Sequence, residues 1–372
     1  MKIKLKLGDL ADIMTGNTPS MKVDEYYDSN DIPFIKPDSF KSHFELEANS
    51  FISNKAETKA RIVESNCILV SCIGIIGKVG ITSQKVAFNQ QINSLNVKPH
   101  YDIEYIAYNL LFNKERLQRI CNSAVVPLIN KTQFSNFEIS INKNIIIQRD
   151  IKNKLNLLSS IINNNKKKLL LLDDIVKSRF VEMFGVFNIN PNNYNTIKFR
   201  DLIEQNNINE EDKVWLLNLD MIKPNTGEIV EKVYINRQYI PTSSISFKKG
   251  TVLYSKLRPY LNKVVIANED GYGTSELIPL NSYKNGLTAE YLAYYLRQDS
   301  FVEYIKDKVT GAKMPRVAMD ILRNIDIIQP NYIYQEQFSS FVNHIDKLKS
   351  DVQKSIDETQ LLMDSLMQEY FG

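Results

Sequence analysis

Three amide side chains in a row, Asn89, Gln90 and Gln91, follow a short apolar run in this 372-residue chain. An Asn or Gln amide sets a donor beside an acceptor and can bond an adenine edge bidentately. Arg and Lys suit guanine, and Lys elsewhere anchors phosphate. Side chains of these types, close to aromatics and in segments rich in turn formers, occur in two sets. The first is Asn17, Thr18, Lys36, Ser71, Lys78, Asn89, Gln90, Gln91 and Lys131; the second is Asn218, Lys256, Arg258, Lys263, Thr274, Ser275 and Arg316. They are candidate DNA contacts, with solvated turns as the plain alternative.

Other chemistry fails on spacing. His43, His100 and His344 are scattered, with no ligand spacing and no neighbouring cysteines, so no metal site is expected. GIIGKVG (74–80) departs from a phosphate loop, because Val79 follows Lys78 and Cys72 stands where the first Gly belongs. It reads instead as two strands meeting at a turn. NPNNY (190–194) lacks the second Pro of an N-P-P-Y signature, has no Gly-rich cofactor loop before it, and reads as a linker. Cys67, Cys72 and Cys121 form neither a disulfide framework nor a C-x-x-C pair, which fits a reduced compartment and buried apolar roles. No cofactor is expected, and the chain reads as non-catalytic by itself.

Composition sets looser bounds. With 46 basic against 43 acidic residues the net charge is +3, so nucleic-acid binding would depend on local clustering rather than on the sum. Hydrophobic content of 43% with 24% charged residues is that of a soluble globular protein. No uncharged apolar run approaches the roughly 18 residues a membrane span needs. The opening MKIKLKLGDLADIMTG carries charge where a signal peptide needs an apolar stretch, so a cytoplasmic location is expected.

The elements that position the two sets are repeated. KSRFVEMFG (177–185) is echoed by DSLMQEYFG (364–372), and four more pairs follow the same order. SCIGIIGKVGI (71–81) lies against SKLRPYLNKVVI (255–266), NQQI (89–92) against TSEL (274–277), and EYIAYNLL (104–111) against EYLAYYLR (290–297). SAVVPLINKTQFSNFEISI (123–141) lies against GAKMPRVAMDILRNIDIIQ (311–329). The chain is two diverged copies, 1–185 and 186–372. Each opens with short apolar runs broken by turn residues, continues into an amphipathic helix and ends in a long helix.

Heptad spacing in those long helices marks a coiled-coil seam. In the first, Leu155, Ile162, Leu169, Val176 and Met183 form one row and Ile151, Leu158 and Leu172 lie on the second. In the other, the rows are Phe338, Ile345, Val352, Thr359 and Leu366, and Phe341, Leu348, Ser355 and Leu362. Asn165 and Ser355 interrupt the seams and are placed to fix register. About 36 residues make a helix of roughly 54 Å, too long for one small domain to cover, so the two helices are expected to pair antiparallel. Gly185 and Gly372 read as their stops. The fold class expected is α+β: two repeated α/β globular domains separated by a long antiparallel two-helix coiled coil, with pseudo-two-fold symmetry. Each copy's tail should lie at one end of the rod, close to the other copy's globular head.

TGNTPS (15–20), IPFIKPDSF (32–40), CILVSCIGIIGKVGI (67–81) followed by NQQINSLNV (89–97), the repeated Pro-bearing loop and the helix ending KSRFVEMFG together resemble the specificity subunit of type I restriction-modification systems. The resemblance covers the whole chain. It implies target recognition domains at 1–144 and 186–330, with spacer helices at 145–185 and 331–372. It further implies that each head reads one half of a split, asymmetric double-stranded DNA target while the helices fix the gap. Half-site centres one turn apart, about 34–36 Å, fit a rod of that length. The partners implied are two methyltransferase subunits and the restriction and motor subunits, whose activities the chain directs. Asn89, Gln90 and Gln91 stand against Thr274, Ser275 and Glu276, so the two half-sites should differ. One departure is that the second copy has no counterpart of TGNTP: INEEDKVWLLNLD (208–220) follows its opening FRDLIEQ (199–205). Other readings are a protein-interaction scaffold with two heads on a coiled-coil strut, and the recognition fragment of a single-chain methyltransferase-nuclease.

Overall fold

A computed structural model describes residues 2–121, 126–190, 192–204, 208, 212–311 and 313–372. Parts of the paired stretches 123–141 and 311–329 and of INEEDK lie outside the described residues. The chain divides into two compact units, Met1–Lys166 with Lys354–Gly372, and Lys167–Gln353. Each unit contains the head of one copy and the closing turns of the other copy's long helix.

In the first unit, Lys2–Lys6 pairs antiparallel with Glu138–Asn142. A four-stranded sheet follows the order Ala11–Thr15, Ile92–Val97, Ile68–Ser71, Val79–Ile81. A second runs Phe51–Ile52, Ile32–Ile35, Val86–Phe88, Ile62–Val63, with only its central pair parallel. The strands are short, and those at the centre are buried throughout; Ile68, Leu69, Val70 and Phe88 are fully enclosed, as expected of strands covered on both faces.

The second unit repeats this plan. Asn195–Lys198 pairs antiparallel with Asp326–Gln329. The sheet Val233–Asn236, Lys213–Leu217, Gly271–Gly273, Ile245–Phe247 has the same order and the same single parallel pair. The remaining sheet, Val264–Ile266, Val252–Ser255, Leu277–Leu280, has three strands. The counterpart of Ala11–Thr15, which leads into TGNTP in the first copy, falls partly outside the described residues. Among the described residues a single bridge from Ile203 to Leu280 stands in its place.

The helices Ile103–Phe112 and Ala289–Arg297 begin alike, on Asp102 and Thr288, whose side chains accept from the N–H groups of Tyr105 and Tyr291. A fully buried glutamine then ties each to its own copy's long helix. Gln148 Oε1 accepts from Asp102 N–H at 2.8 Å, and Gln335 Oε1 accepts from Thr288 N–H at 2.9 Å. The glutamine amides donate to Asn142 and Pro330 carbonyls. An unpaired buried amide is costly, so these bonds fix where each long helix starts.

The long helices run Ile145–Phe184 and Tyr332–Phe371, 40 residues each, or about 60 Å. Gly185 has φ +79° and its N–H donates to Val181 O, the left-handed stop expected of a helix C-terminus. Within the first unit, Ile151 and Leu155 share a core with Met367 and Phe371, while Asn165 Nδ2 donates to Ser355 Oγ at 3.2 Å. Within the second, Phe180 and Phe184 pack on Phe338, and Lys349 pairs with Asp173 at 2.5 Å. In each unit the helices are antiparallel, and the polar seam residues Asn165 and Ser355 meet each other.

Two corrections concern the seam. In the second helix Leu348 and Leu362 are 39% and 50% exposed, whereas Val342 and Ile356 are buried. Positions three and four ahead of a seam residue lie on neighbouring sides of it, and here the side four ahead faces inward. In the first helix, residues beyond Val176 are buried at intervals of four, at Phe180 and Phe184, because a straight helix drifts from a seven-residue repeat.

The echoed tails end inside the heads. Phe371 lies 5.2 Å from the ring of Tyr105 in the first unit, and Phe184 lies 4.8 Å from Tyr291 in the second. Both phenylalanines are buried. Replacing either Phe184 or Phe371 by Ala is expected to cost the full chain about 3–5 kcal/mol in urea unfolding. A cost below about 1 kcal/mol, the level of surface substitutions, would show that the tails are peripheral to the cores.

Candidate nucleic-acid interface

The candidate loops of the two copies are built on one hydrogen-bond frame. In the first, Ser71 N–H donates to Lys78 O, Cys72 N–H to Gln91 O, Gly74 N–H to Pro127 O and Ile129 N–H to Cys72 O. In the second, Ser255 N–H donates to Lys263 O, Lys256 N–H to Glu276 O, Arg258 N–H to Pro315 O and Val317 N–H to Lys256 O. The frame makes Cys72, Gly74, Lys78, Gln91 and Leu128 the counterparts of Lys256, Arg258, Lys263, Glu276 and Arg316. Isolated bridges from Ile73 to Leu128 and from Leu257 to Arg316 agree with that register.

In the first copy, much of the candidate set is spent on holding loops. Asn17 Nδ2 donates to Lys59 O at 2.7 Å and its Oδ1 accepts from Arg61 N–H at 2.6 Å. Asn89 is buried, and its Nδ2 donates to Gln91 Oε1. Ser71 Oγ bonds Ile75 O and receives Lys78 N–H, while Lys78 Nζ donates to Pro37 O at 2.7 Å. Thr18 and Gln90 are exposed and joined by a 2.7 Å bond from Thr18 Oγ1 to Gln90 Oε1. Lys36 is half-buried over the Phe34 ring, and Lys131 is exposed on the first turn of a helix closed by an Asn130–Gln133 capping box. Thr18, Asn89, Gln90 and Gln91 are thus brought together; no contact joins Lys36 or Lys131 to them among the described residues.

The second copy replaces neutral side chains with charge. Arg316 Nε and Nη2 clasp Glu276 at 2.7–3.1 Å, where the first copy has Leu128 and Gln91. Those hydrogen bonds hold the Glu276 carboxyl below its ordinary range and raise Arg316. Lys263 Nζ donates to Leu219 O at 2.5 Å, and burial lowers its pKa. Lys256 is half-buried, and Arg258 and Ser275 are exposed. Thr274 Oγ1 accepts from Glu276 N–H at 3.4 Å, and Thr274 N–H donates to Leu217 O beside the half-buried Asn218. Glu276 is absent from the candidate set drawn from the sequence. Its signal was its alignment with Gln91, but a carboxylate beside a polyanion argues against itself until its arginine partner is seen.

The backbone is also shared. Gly74 and Gly77 have φ +75° and +83°, and their counterparts Arg258 and Asn262 have φ +46° and +49°. A side chain in that region is strained by roughly 1–2 kcal/mol, so the second copy bears a cost the first avoids with glycine.

Among the described residues no group of three or more His, Cys, Asp or Glu side chains could hold a metal ion. Cys67 and Cys72 are buried, with thiols pushed up to about 12 by desolvation, and Cys121 is half-buried. No helix among the described residues is long and apolar enough to cross a membrane.

Residues 3–172 match the family model of the type I restriction modification DNA specificity domain. The chain carries that specificity domain. Over 140 residues it is 31% identical to the HindI specificity subunit of the type I restriction enzyme from Haemophilus influenzae, covering 36% of this chain and 30% of that protein. The chain thus aligns with under a third of that relative's length. The S subunit of a type I restriction-modification system from M. genitalium has the same fold, with TM-score 0.58 and 14% identity over 100% of this chain and 96% of that one. A chain from a structure addressing complex assembly and conformational transition of a type I system matches at TM-score 0.62 and 11% identity, over 99% and 97%. The family model stops within the first long helix; the shared hydrogen-bond frame carries the specificity-domain architecture into the second copy.

The ion pair sets a pH dependence. Because the folded-state pKa of Glu276 lies below its unfolded value, its contribution is present above the ordinary carboxylate pKa and fades as pH falls through the lowered one. The Arg316 side chain is 42% exposed, so solvent screens the pair and its contribution is small. Wild type should be slightly more stable than Glu276→Gln in urea unfolding at neutral pH, and the gap should narrow as the pH falls through and below the ordinary carboxylate range. A gap that stays constant with pH would mean that the pair is not coupled to folding.

Proposed function

We propose that this chain is the DNA-reading subunit of a type I restriction-modification complex, each head binding one half of a bipartite, asymmetric duplex target. The observation that carries the reading is one loop frame built twice, within a specificity-domain fold, with different side chains on it: amides and glycine in one copy, arginines and a carboxylate in the other. A duplicated frame with divergent contacts is what two unequal half-sites require. The division 1–144, 145–185, 186–330 and 331–372 assigns the heads to recognition and the long helices to spacing and partner docking.

On this reading the exposed side chains Thr18 and Gln90 in the first head, and Arg258 and Ser275 in the second, face DNA together with half-buried Lys256. Asn17, Ser71, Lys78, Asn89 and Lys263 shape the loops that present them. Lys36 and Lys131 are candidate phosphate contacts. Two methyltransferase subunits and the restriction and motor subunits supply the chemistry in the cytoplasm, and this chain supplies their address.

Two measurements test this with duplexes selected by the full chain from a random pool. Affinity should fall at least about tenfold between about 50 and 200 mM salt, because phosphate contacts release counterions; salt-indifferent binding would favour the protein-interaction scaffold. A duplex carrying one half-site as a palindromic repeat should bind no better than the single half-site. Tighter binding to the palindrome would refute unequal heads.

A further inference from the structure

Resting on the DNA reading above, we infer that Arg258 is the specificity-determining residue of the second head, reading a guanine in its half-site. Its counterpart is Gly74, and a Cβ there would meet nothing within 4 Å, so the frame leaves open space at this point for a side chain. The second copy fills that position with arginine despite φ +46° and ψ +58°, in front of a proline. The residue before proline is already restricted, and only a few per cent of non-glycine residues take positive φ. Nothing in packing accounts for the choice: Arg258 is exposed, and among the described residues its guanidinium has no ion pair or hydrogen bond.

The backbone on either side is fixed. Arg258 N–H is held by Pro315 O, and Leu261 N–H returns to Arg258 O at 2.9 Å. Pro259 follows as the first residue of a short turn of helix. A phosphate can be bound by an ammonium or a guanidinium, whereas bidentate reading of a base edge needs a planar fork at a set position. Two parallel N–H donors match O6 and N7 of guanine. Of the neighbouring cations, two are already engaged, while half-buried Lys256 lies near the Glu276 carboxylate. Arg316 is clasped by Glu276, and Lys263 is spent on Leu219 O. In the first head the glycine has no side chain to offer here, so that head reads through its amides and Thr18.

The test is selection of bound duplexes from a pool with about 30 randomised base pairs, more than two helical turns, using the full chain as wild type, Arg258→Gly and Arg258→Lys. Glycine suits the backbone conformation, so folding is preserved, as a thermal melt would verify. Wild type should enrich a guanine at one position that Arg258→Gly no longer selects, with the rest of the site unchanged. Affinity for the guanine-bearing duplex should fall about 5- to 100-fold, and affinity for duplexes with another base there should fall much less. Arg258→Lys should also lose most of the preference, since an ammonium lacks the fork. The inference is overturned if Arg258→Gly selects the same guanines, or if it weakens all duplexes alike and lysine restores them, which would make Arg258 a phosphate anchor. If wild type enriches no sequence at all, the DNA reading fails and this inference fails with it.

Discussion

The structure depends on an exchange of aromatic rings. Each head has a core that its own sequence copy leaves incomplete, and the ring that completes it comes from the end of the other copy's long helix. Phe371 closes the core around Tyr105, and Phe184 closes the core around Tyr291. A phenylalanine buried this way contributes several kcal/mol, a substantial share of the marginal stability of a domain. Each compact unit therefore draws on both copies, and the boundary between units runs through the middle of both long helices rather than between the copies.

That exchange also constrains the helices. A helix tied at its start by a buried glutamine and at its end by a buried phenylalanine has a fixed register along its length. The antiparallel pairing within each unit follows, and the meeting of Asn165 with Ser355 is consistent with it. The pair resembles a buried polar contact in a coiled coil, where register is held at some cost in stability.

On each head the candidate loop is shaped by backbone hydrogen bonds shared by the two copies. Cys72 or Lys256, Gly74 or Arg258, and Leu128 or Arg316 occupy equivalent places without altering the frame. Duplication followed by substitution on such a frame can change what a head recognises while leaving how it folds untouched. The frame is not wholly indifferent, since Arg258 and Asn262 take left-handed conformations that glycine takes freely in the other copy.

The duplication, the order of elements in each copy, the long helices and the family resemblance are legible in the amino-acid sequence, because repeats and heptad spacing are local patterns that survive divergence. The sequence placed Asn165 and Ser355 at the interruption of the seams, but chose the wrong side of the seam for Leu348 and Leu362, since three- and four-residue spacings cannot be told apart without the partner surface. Tertiary structure alone decided which polar side chains are free. Asn17, Asn89 and Lys78 look like contacts in sequence, yet each is drawn into bonds with residues from 2 to 44 positions away. Only the folded loop shows Glu276 held by Arg316 with Arg258 left over. A side chain's type fixes what it can bond, but its neighbours in space decide whether that capacity remains.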